Sequence, residues 1–127
     1  MRLDTIHHVA IIASDYARSR SFYVEKLGFE VIRENARPER GDYKLDLRIN
    51  ETTELELFGM PNPPARVSGP EACGLRHLAF RVRDVEEAVR ELGERGITCE
   101  PIREDVFTGK RMTFFRDPDG LPLELHE

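Results

Sequence analysis

Long apolar runs are missing from this 127-residue chain. None approaches the roughly 18 residues that a membrane span requires. The first residues, MRLDTIHH, lack the apolar stretch and small-residue cleavage site of a signal peptide, so a cytoplasmic location is the default expectation. Cysteine is scarce. Cys73 and Cys99 are the only two, neither lies in a C-x-x-C pattern, and both read as free thiols rather than as a nucleophile or a metal thiolate. A basic excess is also absent. The formal net charge of -5 argues against a nucleic-acid partner, and the charges are mixed along the chain with no long block of one sign.

What is present is the balance of a soluble globular protein, with 39% hydrophobic and 34% charged residues. The length suits one compact domain that buries a core without disulfides or a structural metal.

The chain repeats itself. Ile6–Asp15 reads IHHVAIIASD and Leu75–Asp84 reads LRHLAFRVRD; at an offset of 69 residues His8 falls on His77, Ala10 on Ala79 and Asp15 on Asp84. Each stretch precedes a helical pattern, then a glycine and a new strand, LGFEV at Leu27–Val31 and RGITC at Arg95–Cys99. Each half ends alike, in Leu55-Glu56-Leu57 and Leu123-Glu124-Leu125. His8 to Glu56 is 48 residues and His77 to Glu124 is 47. The matched order of elements outweighs chance similarity among strands.

The patterns predict a strand over 6–13, a helix capped by Ser14 or Asp15 and stopped at Gly28, and strands near 29–36, 43–49 and 53–58. In the second half they predict a strand over 76–83, a helix from the Asp84 cap to about Arg95, and strands near 98–103, 111–116 and 121–126. Val85, Ala88, Val89 and Leu92 give that helix one apolar stripe. Asp117-Pro118-Asp119-Gly120 is a turn joining the last two strands. Gly59–Gly74 holds four prolines and reads as an extended linker. The fold class is therefore α+β: paired βαβββ modules in one domain, with module one at 5–58, the linker at 59–74 and module two at 75–127.

Side chains alternate between the faces of a strand. Leu55 and Leu57 oppose Glu56, Leu123 and Leu125 oppose Glu124, Val9 and Ile11 oppose His8, and Leu78 and Phe80 oppose His77. The aliphatic sets belong under the helices. His8, Glu56, His77 and Glu124 then share the other kind of face, with Ala10, Ile12, Phe58 and Ala79. A lone His in a strand is more often structural than a ligand, and a lone Glu between leucines is usually a solvated side chain. Four such residues at quasi-symmetric positions point to a metal site. Two imidazoles and two carboxylates suit Zn, Ni, Co, Mn or Fe(II). Without an ion, close carboxylates would repel and one would tend to hold a proton.

These motifs resemble the glyoxalase I / vicinal-oxygen-chelate (glyoxalase/bleomycin resistance/dioxygenase) superfamily over essentially the whole chain. The similarity is greatest to its compact, lactoylglutathione lyase-like members. The resemblance implies a curved, cup-shaped mixed sheet with one divalent metal held by His8 in HHVAIIASD, Glu56 in ELELF, His77 in GLRHLAF and Glu124 in DPDGLPLEL. It implies a homodimer and a small-molecule carbonyl substrate, with the thiol left open. Glutathione-using members typically carry Arg four residues after the first ligand and Asn four after the second; this chain has Ile12 and Met60.

The expected chemistry is isomerisation of a 2-oxo-aldehyde thiohemiacetal or a similar α-hydroxy carbonyl. Glu124 or Glu56 would carry the proton, with Glu124 favoured by resemblance alone. Arg103, Lys110 and Arg111 flank the loop VFTGKR and are candidate contacts for a substrate anion. Tyr43 and Arg48 are candidates to line the cup, whereas His7 and His126 read as structural. Two alternatives stand beside this reading. One is an Fe(II) ring-cleaving dioxygenase using His8, His77 and Glu124, against which Glu56 counts as a fourth ligand. The other is a non-catalytic drug- or metabolite-binding (resistance) protein, as metal-free members of the superfamily are.

Overall fold

A computed structural model describes residues 1–127. Its chain divides into two compact units that meet at Ala65 and Arg66, inside the proline-rich stretch. The first holds β1 (His8–Ala13), α1 (Tyr16–Arg20), a π-helical turn (Ser21–Lys26), β2 (Glu30–Arg37), a 3-10 turn (Pro38–Arg40), β3 (Asp42–Arg48) and β4 (Glu54–Gly59). The second holds β5 (Leu78–Arg81), α2 (Val85–Glu94), β6 (Arg103–Glu104), β7 (Arg111–Arg116) and β8 (Pro122–His126).

Each unit is a four-stranded mixed sheet, in the orders β1-β4-β3-β2 and β5-β8-β7-β6. The first strand of each unit runs parallel to its last, and the remaining pairs are antiparallel. The topology is the α+β architecture of paired βαβββ modules that the repeat predicts.

In the first unit α1 packs on β4. Asp15 caps it by accepting from the Arg18 N–H at 3.1 Å. Leu45, Leu47, Leu55, Leu57 and Tyr23 are wholly buried beneath it, with Ile11 and Phe22 nearly so. Burying one such side chain contributes about 1.5–3 kcal/mol. The helix expected to run on to Leu27 widens instead into π geometry, with Leu27 N–H donating to the Phe22 carbonyl. The adjacent aromatics Phe22 and Tyr23 both reach the core from this turn. Gly59 ends β4 where a Cβ would lie 2.9 Å from both Tyr16 Cβ and Tyr43 Cδ2, so no larger residue fits between these stacked rings.

In the second unit α2 packs on β7 and β8 and is capped by Asp84, which accepts from the Glu87 N–H at 3.1 Å. Val85, Leu92, Ile97, Phe115, Leu123 and Leu125 form its core. The strand expected over 98–103 is confined to Arg103–Glu104. Upstream, Glu100 touches β7 at isolated points, its N–H donating to the Phe114 carbonyl and its carbonyl accepting from Thr113 Oγ1. The Asp117–Gly120 turn forms as expected. The buried Asp117 carboxylate accepts from the N–H groups of Asp119 and Leu121, each at 2.9 Å, and Gly120 adopts φ +82°. This turn fixes the register that sets Glu124 opposite Phe114.

Candidate functional site

In the first unit the face away from α1 carries a His–Glu pair. β1 lies parallel to β4 with Ala10 opposite Glu56, so His8 reaches Glu56 diagonally, Nε2 to Oε2 at 3.7 Å. Glu56 is largely buried and His8 is exposed. The His8 Nδ1 lies 2.8 Å from Nδ1 of His7; with the proton on His8, Nε2 presents its lone pair toward Glu56.

Asp46 stands directly across from Glu56 on β3 and is 1% exposed. Two facing carboxylates repel, and two cations offset that repulsion. Arg33 Nε donates to Asp46 Oδ2 at 2.8 Å. Lys44 Nζ lies 3.2 Å from Asp46 Oδ1 and 3.2 Å from Glu56 Oε1. The first contact is angled so that the buried Asp46 Oδ1 has no hydrogen bond. Glu56 and then Asp46 hold the Lys44 ammonium above the usual lysine range. Beyond Lys44, an open cleft of about 660 Å³ is lined by residues that include Asn35, Arg37, Asp42 and Phe58.

The second unit carries the equivalent pair. His77, just before β5, places Nε2 2.8 Å from Glu124 Oε2 on β8, and Glu124 is 7% exposed. Phe114 meets the His77 ring edge-on, with centroids 5.2 Å apart. The Arg103 guanidinium lies 5.6 Å from the centre of the same Phe114 ring. Arg76 Nη1 sits 3.0 Å from His77 Nδ1. An arginine can only donate, so the His77 ring accepts at Nδ1 and carries its proton on Nε2, the nitrogen nearest Glu124. A cation at Nε2 requires that proton to move to Nδ1 and the exposed Arg76 to withdraw.

The donor set suits a divalent ion. Two donors side by side on one cation, each about 2.1 Å away, lie about 3.0–3.4 Å apart, and the separations of 3.7 and 2.8 Å bracket that span. Within the chain no three His, Cys, Asp or Glu side chains form a group able to hold a metal. Each unit offers one pair.

The loop cations divide. Arg103 lies on the site face through Phe114. Lys110 is exposed at the base of the loop, where its main chain pairs with Asp105 and Thr108. Arg111 is drawn to the helix side, with Glu127 at 2.6 Å, Glu86 at 2.9 Å and Asp84 at 3.8 Å, where it ties β7 to α2 and the last residue. Tyr43 does not line the site face; it stacks on Tyr16 on the helix side, at 4.3 Å. Arg48 is paired with Glu30. His126 lies 3.5 Å from Asp105 and donates from Nδ1 to the Glu127 carbonyl; that carbonyl, then Asp105, raises its pKa.

Lys44, Asp46 and Phe114 were not singled out from the sequence. Parity places Lys44 and Asp46 on one face of β3. The pairing register that brings them to Glu56 is written nowhere in the local sequence.

Comparison with known proteins identifies the family and the fold. The family model described as Glyoxalase/Bleomycin resistance protein/Dioxygenase superfamily matches residues 5–125. The uncharacterized protein YwkD of Bacillus subtilis (strain 168) is 61% identical over 127 residues, covering 100% of this chain and 99% of its own. A crystal structure of a glyoxalase family protein from Enterococcus faecalis superposes with a TM-score of 0.92 at 62% identity, covering 100% of both chains. The trypanothione-dependent glyoxalase I of Leishmania major superposes with a TM-score of 0.70 at 30% identity, covering 96% of this chain and 85% of that one.

Proposed function

Because the chain belongs to the Glyoxalase/Bleomycin resistance protein/Dioxygenase superfamily, we propose that it is a metal-dependent lyase or isomerase of the glyoxalase I kind. Its site is one divalent ion (Zn, Ni, Co, Mn or Fe) held by His8, Glu56, His77 and Glu124. The substrate is a 2-oxo-aldehyde thiohemiacetal or a similar α-hydroxy carbonyl. The observation that carries this reading is the repeated contact of a histidine before or in the first strand with a glutamate in the last, His8 with Glu56 and His77 with Glu124.

When bound, such an ion draws electron density from adjacent substrate oxygens and offsets the negative charge that develops on them. The protein supplies the proton transfer. Glu124 takes the proton from the carbon that bears the hydroxyl and returns it to the adjacent carbonyl carbon, while the hydroxyl proton passes to the former carbonyl oxygen, so that the two carbons exchange oxidation states. Its burial, with Phe114 opposite it, excludes the water that would compete for that proton. Arg103, which lies over the Phe114 ring, is the proposed contact for an anionic part of the substrate, with Lys110 from the loop as the second. The thiol is not fixed as glutathione: Ile12 and Met60, both exposed, stand where glutathione-using members carry Arg and Asn. The similar Leishmania protein depends on trypanothione. The active species is a homodimer.

The experiment is metal analysis of the purified protein followed by turnover of methylglyoxal with several small thiols. One divalent ion per site and thioester formation with at least one thiol is the expected result. Failure to bind any divalent ion at micromolar concentration overturns the reading, and oxygen uptake with a catechol would replace it by dioxygenase chemistry.

A further inference from the structure

We infer that Lys44 is a positioning residue that pins Glu56 as a one-oxygen metal ligand and so leaves Glu124 as the carboxylate free to move. The inference rests on the metal-site reading above and concerns how its two glutamates divide the work. The two oxygens of Glu56 face different partners. Oε2 is turned toward His8 at 3.7 Å, whereas Oε1 lies 3.2 Å from Lys44 Nζ. Lys44 is itself anchored from behind. It sits 3.2 Å from the buried Asp46, which Arg33 holds at 2.8 Å, so an ion chain Arg33–Asp46–Lys44–Glu56 crosses β2, β3 and β4. The Phe58 ring, 5.9 Å from Nζ, flanks the same ammonium.

This chain constrains Glu56 on the oxygen that does not face His8. A carboxylate with one oxygen tied to an anchored ammonium cannot chelate an ion through both oxygens, nor swing away toward a substrate, without breaking that tie. Glu124 has no such tether. Glu124 forms no ion pair with a lysine or arginine: its contact is the His77 ring through Oε2, and its strand neighbour across the pair is the apolar Phe114. The repeat places two glutamates at equivalent positions, and Lys44 breaks their equivalence. In the second module the β7 positions that match Lys44 and Asp46 are Met112 and Phe114, both apolar, and the Arg103 guanidinium on that face lies over the Phe114 ring at 5.6 Å.

The test uses Co(II) as the ion and acetohydroxamate, a ligand with two adjacent oxygens, as the reporter of open coordination positions. Wild type is compared with Lys44→Met and Lys44→Arg by the visible spectrum of bound Co(II) and by acetohydroxamate titration. Lys44→Met should still bind Co(II), change its spectrum as Glu56 Oε1 turns to the ion, and bind acetohydroxamate about tenfold more weakly. Lys44→Arg should restore both readouts toward wild type. Should Lys44→Met fold poorly, the double variant Asp46→Asn, Lys44→Met, in which the buried carboxylate no longer needs its cation, carries the same expectation. A wild-type spectrum and wild-type acetohydroxamate affinity in the Met variants overturn the role of Lys44 while leaving the metal site standing. A wild-type protein that binds no Co(II) overturns both.

Discussion

Asp46 and Glu56 face each other across β3 and β4 as a directly paired couple of carboxylates, one fully buried and one nearly so, with Lys44 in reach of both. Such a pairing persists only while its counter-ions stay in place. Asp46→Ala should therefore release Arg33 and Lys44 to solvent and cost about 1–3 kcal/mol. Urea unfolding of the variant beside wild type measures it, and equal midpoints would show that the buried carboxylate contributes nothing.

Glu124→Gln should retain much of the metal and lose proton transfer. The expected drop in kcat is about 10²–10⁴-fold, the range for removing a positioned general base. Turnover at the wild-type rate would remove Glu124 from the mechanism.

Gly59 allows Tyr16 and Tyr43 to stack over the end of β4. A methyl group there would sit 2.9 Å from atoms of both residues. Gly59→Ala should destabilise the first unit by about 1–3 kcal/mol, as overpacking does. Thermal unfolding of Gly59→Ala against Gly93→Ala, where a Cβ meets nothing within 4 Å, gives the comparison; equal effects would discount the contact.

Tyr16 and Glu34 set both pH limits of the same corner. Arg20 and then Tyr16 hold the Glu34 carboxyl below its ordinary 4.5. Its contribution is therefore present above pH 4.5 and is lost as pH falls through its folded-state value. Burial first, then Glu34, hold the Tyr16 hydroxyl well above its ordinary 10.0. The unfolded chain ionises first as pH rises past 10.0, so stability falls there. Glu34→Gln should lose stability at neutral pH and converge on wild type in acid. Tyr16→Phe should flatten the alkaline decline. An unchanged alkaline slope in Tyr16→Phe would assign that decline to other groups.

If the four ligands come together across a homodimer, pairing one ligand-dead half with the other should rescue binding. Co-expressed His8→Ala, Glu56→Ala and His77→Ala, Glu124→Ala chains should recover about a quarter of the wild-type metal content, since half the dimers are mixed and each mixed dimer has one intact set. Zero recovery would place the full set in a single chain.

Much of this was legible in the sequence because strand parity is local. Leu55 and Leu57 are buried while Glu56 turns the other way, as the alternation required, and the Asp117–Gly120 turn formed where its residues called for it. Long-range register was not legible. Nothing in DYKLDLR says that Asp46 will face Glu56 rather than Glu54 or Phe58. Arg111 looked like a loop cation, but its salt bridges come from Glu127 and from α2, 16 and 25 residues away in the chain. Residues 98–102 alternated like a strand, yet Pro101 has no N–H to donate and the ladder closed only at Arg103.

The parallel seam between the first and last strands of each unit has a consequence for biogenesis. His8 cannot meet Glu56 until the polypeptide has emerged past Gly59, because β1 has no partner other than β4. The loop that must close spans nearly the whole unit, which makes this step slow among the contacts of the sheet. On the proposed four-ligand reading, a nascent chain that has passed Gly59 would offer an ion only half of its donors, because Glu124 follows far downstream of Glu56. Complete capture would wait for the second half to emerge and zip shut.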